Sequence, residues 1–153
     1  MVLSSSAFRE GELIPPKYTC DGENVSPPLG FDGVPEGAKS LALIVEDPDA
    51  PSGTFVHWVL YHLPSPVREL PEGMSTAEVT KSGAMQGRND FHKIGYGGPC
   101  PPGGTHRYFF RLYALNAAVE LHAGATGKEL ESAMKGRISA QAQLMGRYAR
   151  KKK

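Results

Sequence analysis

The chain has 153 residues, with 17 Lys and Arg against 16 Asp and Glu, for a formal net charge of +1. That length supports one domain with its own core, and the charge balance excludes a global field that would draw the protein to nucleic acid. No apolar run reaches 18 residues and the N-terminus lacks the basic and apolar regions of a secretory leader, so the expectation is one cytoplasmic domain over residues 1–153 with a basic tail over 149–153 and no integral membrane association.

With 18 Gly and 13 Pro, the chain reads as short strands joined by many turns. The stretches "KYTCDGENVSPPL" and "FDGVPEGAK" each carry an Asp-Gly step near Pro and read as loops packed around strands. Asn24-Val25-Ser26 matches a glycosylation pattern that carries no weight without a leader. The two cysteines, Cys20 and Cys100, read first as buried structural thiols in a reducing cytosol, with a disulfide or a reactive thiol as the alternatives, and two cysteines alone make no zinc site.

"SLALIVEDPDAP" begins as an unbroken apolar run, which fits a strand buried on both faces that ends near Glu46 or Asp47. "TFVHWVLYHLP" follows after a short turn. Its alternation places Val56, Trp58, Leu60 and His62 on one face and Phe55, His57, Val59, Tyr61 and Leu63 on the other. Residues 95–108, "GYGGPCPPGGTHRY", mix the most flexible and the most rigid residues, as a fixed loop feeding a strand would. The strand "HRYFFRLYAL" then puts His106, Tyr108, Phe110 and Leu112 on its smoother, core-like face.

Thr126 and Glu129 form a capping box ahead of Leu130, Met134 and Ile138, and an apolar stripe runs on through Met145 and Tyr148. This predicts a short helix and a terminal one, split at Gly136. Arg147, Arg150 and Lys151 to Lys153 then complement the end of that helix. Strands come first and helices last, without βαβ alternation, so the fold expected is mainly β, an antiparallel sandwich with one or two C-terminal helices.

Three clusters at strand ends bear chemistry: Asp47 and Asp49 in "DPDAP", His57, and His106 with Tyr108. Imidazole N–H groups, a phenol O–H and backbone N–H groups beside the small Gly97 and Gly98 are the donors a phosphate-like anion needs. Pro99, Pro101 and Pro102 fix the loop that frames them. Asp47 suits such a site if it accepts a proton from a histidine, sets its tautomer and favours imidazolium, which makes anion affinity rise as pH falls. Trp58, Phe109 and Phe110 read as core.

Other chemistries fit less well. No G-x-S-x-G elbow, H-E-x-x-H pair, C-x-x-C or P-loop occurs. A metal set drawn from Asp47, Asp49, His57, His62 and His106 is only suggestive, and the prolines around Cys100 argue against an activated nucleophile.

"DPDAPSGTFVHWVLYHLP" and "GYGGPCPPGGTHRYFFRLYAL", with "YTCDGENVSPPL" upstream and "LMGRY" near the end, closely resemble the phosphatidylethanolamine-binding protein family, and most of all its compact bacterial and archaeal YbhB/YbcL-like branch. The match runs from Phe8 to Tyr148. The resemblance implies a Greek-key β-sandwich with a shallow pocket for phosphate or phosphorylated head groups. That pocket would comprise Asp47, Pro51, His57, Gly98, Cys100, Pro101, His106 and Tyr108, with no cofactor and no metal.

Relatives act as binding proteins and, in eukaryotes, as inhibitors in kinase (Raf kinase inhibitor-like) or protease pathways. The expectation is therefore a non-enzymatic binding protein, a monomer or a homodimer. The alternative is an inhibitor of a kinase or serine protease acting through surface loops, and a phosphate-ester hydrolase comes third. The short C-terminal segment departs from animal relatives whose terminal helix gates the pocket.

Overall fold

The structure, a computed structural model, describes residues 1–150. Its long strands are those the apolar patterns predict: β3 (Ser40–Asp47), β4 (Phe55–Pro64) and β7 (His106–Leu115). The short strand β2 (Leu29–Asp32) arises where the sequence reads as loop, and β1 (Val2–Ser4), β5 (Glu69–Leu70) and β6 (Met85–Gln86) lie in stretches to which the sequence assigns no element. One helix, α1 (Gly127–Met134), precedes β8 (Ile138–Tyr148). All strand pairs are antiparallel, in a three-stranded sheet of order β1-β2-β5 and a five-stranded sheet of order β6-β4-β3-β7-β8.

The central strand β3 is buried on both faces, as its unbroken apolar run requires. Leu41, Leu43 and Val45 point into the main core with Leu3, Leu29, Phe31 and Leu70 of the small sheet, while Ala42 and Ile44 point the other way, to Val59, Tyr61, Leu130 and Met134. The molecule is thus layered as small sheet, large sheet, helix. Each fully buried Leu or Met of α1 contributes about 1.5–3 kcal/mol by leaving water.

The capping box forms as the sequence predicts: Thr126 Oγ1 accepts from Glu129 N, and Glu129 Oε1 accepts from Thr126 N. The terminal helix does not form. Gly136 lies at φ 76° and Asn116 N donates to Arg137 O, so the chain turns and runs back along β7 as β8. The predicted stripe through Met145 and Tyr148 has the spacing of a helix, but in β8 these two fall on opposite faces; Leu144, Gly146 and Tyr148 share the buried face, and pairing with β7 decides the outcome. The expected complement to a helix end therefore does not form at Arg147, which lies in β8, or at Arg150, which pairs with Asp21; Lys151 to Lys153 lie outside the described residues.

The cysteines also differ from expectation. Cys20 and Cys100 form a disulfide with their Cα atoms 5.4 Å apart. Cys20 N donates to Pro99 O and brings the two segments side by side, a tertiary contact that spacing in sequence does not encode. No helix among the described residues is long and apolar enough to cross a membrane.

Candidate functional site

Strict alternation along β4 breaks twice. The β3–β4 register shifts between Val45 and Glu46, opposite His57, and again between Leu41 and Leu43, opposite Tyr61 and His62. The first bulge adds one residue, so Trp58 enters the main core while the His57 ring lies 5.2 Å from that of Tyr108, whose side chain belongs to the same core. His57 therefore leaves the face of Val59 and Tyr61, to which alternation assigned it. At the second bulge His62 takes φ 55° and Leu63 returns to the main core.

The bulge brings His57 to one cavity of about 410 Å³ with Asp47, Pro51, Cys100, Pro101, His106 and Tyr108. Tyr108 stands between the two imidazoles, edge-on to His57 and nearly parallel to His106 at 6.5 Å. All four polar side chains are buried: Asp47 is 3% exposed, His57 3%, His106 7% and Tyr108 1%. Buried polar atoms need partners, and Asp47, His57 and His106 have specific ones.

His106 Nδ1 donates to Asp47 Oδ2 at 2.6 Å, while Asp47 Oδ1 accepts from Asp49 N at 2.7 Å. His57 Nδ1 lies 2.7 Å from Gly97 O, and because a carbonyl only accepts, that nitrogen carries the proton. In both rings Nε2 is the nitrogen that these bonds leave over, a lone pair when the ring is neutral and a donor when it is protonated. Burial pushes His57 below the ordinary histidine pKa, against the opposing pull of the Gly97 carbonyl and the Asp47 charge. Burial also raises the Tyr108 phenol, with the Asp47 and Asp49 charges adding to the effect, so its O–H is a permanent donor.

Asp49 plays a different part from Asp47. Its carboxylate takes a forked pair of bonds from Arg107 Nε and Nη2, and Arg107 N donates to it as well, which fastens the loop after β3 to the start of β7. These bonds hold its pKa at about 2. His62 lies near the far end of β4, and among the described residues no three His, Cys, Asp or Glu side chains converge as metal ligands.

Gly98 does not line this cavity. Its N–H donates to Asn24 Oδ1, and a Cβ there would lie 2.2 Å from Tyr18 O. Gly97 N likewise donates to His57 O. Gly98 is required by close packing of the loop against residues 18–24 and Gly97 by packing against the Phe91 ring, and their N–H groups are already spent, so backbone donation from them to a ligand is ruled out.

Phe109 is likewise not core: it lies half-buried on the opposite face of β7, between Arg107 and Arg111. Sequence reading missed Phe55, Asp90 and Phe91, which complete the wall. Their signal is the polar turn "RND" ahead of an aromatic. Asp90 Oδ2 accepts from Val56 N and Phe91 packs edge-on against Phe55 and His57.

Comparison with known proteins matches residues 4–149 to the family described as phosphatidylethanolamine-binding protein. A UPF0098 protein of Methanothermobacter thermautotrophicus is 50% identical over 98% of this chain and 99% of its own length, and one of Aquifex aeolicus is 51% identical over 98% and 89%. Two crystal structures superpose with a TM-score of 0.90. One is a phosphatidylethanolamine-binding protein homologue from Chlamydia trachomatis, 45% identical over 98% of this chain and 97% of that one; the other is E. coli YbcL, described as a member of the mammalian family, 35% identical over 97% and 98%.

Proposed function

The chain belongs to the phosphatidylethanolamine-binding protein family, and from that membership and the pocket's geometry we propose that it is a non-enzymatic binding protein for a phosphate-like anion, free or carried on a phosphorylated head group. The observation that carries this reading is the row His57, Tyr108, His106 along one wall of one cavity, with both Nδ1 atoms occupied internally. Tyr108 is a donor at any ordinary pH. Each Nε2 becomes one only when its ring is protonated, or else accepts the proton of a monoprotonated phosphate. Binding through a protonated ring takes up a proton, and where that form carries the binding, affinity rises as pH falls. Asp47 accepts from His106 Nδ1 and so fixes the tautomer and orientation of that ring.

Non-catalytic binding is favoured because among the described residues no Ser or Thr hydroxyl hydrogen-bonds either imidazole, as an activated nucleophile would.

An NMR titration with inorganic phosphate, phosphoethanolamine and a nucleotide tests the assignment. Amides around Asp47, His57, Cys100 and His106 should shift, more strongly at about pH 5.5 than at about pH 8, on either side of the ordinary histidine pKa. His57→Ala and His106→Ala should each abolish the shifts. Shifts confined to other residues, or a titration that does not change with pH, would refute it. Inhibition of a kinase or protease that survives both substitutions would move the function to the surface loops.

A further inference from the structure

A second cavity, of about 700 Å³, adjoins the first. Among the described residues the two linings have Phe91 and Cys100 in common and nothing else. Phe91 is therefore a ridge between them. Its ring packs edge-on against Phe55 and His57 and lies over Gly97, where a Cβ would come 2.5 Å from it, yet it stays 38% exposed and offers an apolar surface at both mouths.

The turn that carries this ridge is firmly built. Asn89, 2% exposed, accepts at Oδ1 from Phe91 N and Lys93 N and donates from Nδ2 to Gly95 O. Asp90 N donates to Val56 O, and Asp90 Oδ2 accepts from Val56 N. One buried side chain thus sets the backbone of both Phe91 and Lys93, so a ligand that touches them has no loop to order.

The two linings differ in charge. The first contains Asp47 and Asp90 and no Lys or Arg, so positive charge arises there only when a histidine is protonated. The second contains no Asp or Glu and one permanent cation, Lys93. Among the described residues no hydrogen bond or ion pair engages the Lys93 ammonium. Asn24, whose Oδ1 accepts from Gly98 N, keeps its Nδ2 as a donor, and the Thr76 hydroxyl is another.

We propose that the second cavity is an anion subsite, and that the ligand is a phosphate ester bearing a second anionic group, phosphate or carboxylate. The first phosphate meets His57, Tyr108 and His106, the carbon linker crosses Phe91, and the second anion meets Lys93. This rests on the first cavity being a phosphate site. The lysine is a point charge on a flexible stem and takes either anion, while the linker removes apolar surface of Phe91 from water.

Alkane-α,ω-diyl bisphosphates of graded length, each compared with the monophosphate of the same chain, test this by calorimetry and NMR at about pH 6, near the ordinary histidine pKa. The bisphosphate of best length should bind about tenfold more tightly than its monophosphate, the effect of one charge-assisted contact. It should shift the amides of Thr76, Lys93 and Ile94 as well as those of Asp47, His57 and His106, whereas monophosphates should shift the latter three alone. Lys93→Gln should lose the tenfold gain and the Thr76 and Ile94 shifts, and Lys93→Arg should keep them. No gain at any length, a gain that survives Lys93→Gln, or bisphosphate shifts confined to the first cavity overturns the second subsite while phosphate binding stands. Monophosphates that leave Asp47, His57 and His106 unmoved overturn the phosphate site, and the second subsite with it.

Discussion

The pocket has two walls, held by different physics. Residues 96–102 are fixed by a disulfide to Cys20, by the buried bond from Tyr96 Oη to Tyr18 O, by Asn24 on Gly98 N, and by three prolines. Residues 47–54 are exposed over Pro51 to Thr54 and are held chiefly by charged groups, Asp47 on His106 inside and Asp49 on Arg107 outside. The first wall resists by covalent and buried contacts that neither salt nor pH reaches. The second depends on ionisation, so the pocket has one side insensitive to conditions and one side that responds to them. A ligand whose binding is linked to protonation needs such a responsive side.

Breaking the rigid wall should have the largest effect. Replacing both cysteines by Ser releases a closure spanning 80 residues and should cost about 4 kcal/mol on the chain-entropy account, read as a lowered midpoint in urea. A cost below about 1 kcal/mol would mean that prolines and hydrogen bonds suffice, and the contrast between the walls would largely disappear.

Asp47→Asn strikes the responsive wall at its buried point. Losing a charged hydrogen bond to His106 should cost about 1.5–3 kcal/mol and flatten the pH dependence of phosphate affinity between about pH 8 and about pH 5.5. Persistence of the full pH dependence would shift the proton uptake to His57 or to the ligand.

A smaller effect concerns His57 in the folded protein without ligand. Its folded pKa lies below its unfolded value, so the unfolded chain binds the proton more readily, and stability is whole above about pH 6.5 and falls as pH drops below it. Denaturation midpoints measured against pH should show this acid limb in the wild type and a weaker one in His57→Phe.

The smallest effect belongs to the exposed pair. Asp49→Ala should lower the melting temperature slightly, and less in high salt. Because the folded pKa of Asp49 is depressed to about 2, its contribution is present above the unfolded value near 4 and fades as pH falls from there toward 2, so wild type and variant should converge in that window. A difference that persists at the acid end would assign the loop's anchorage to something other than charge.

Much of this was legible in the sequence because the deciding forces are local. The apolar run of β3, the alternation of β7 and the Thr126–Glu129 cap each report an interaction completed within a few residues, and the motifs around Asp47, His57 and His106 carried the family. Tertiary structure decided what local pattern leaves degenerate. Met145 and Tyr148 read as one helix face until β7 offers a ladder; two bulges turn His57 and Leu63 to the main core; Gly98 spends its N–H on Asn24; and Cys20 meets Cys100 across eighty residues. Each of those outcomes depends on a partner far along the chain, and contacts between distant segments are set by the packing of the whole rather than by the propensities of either.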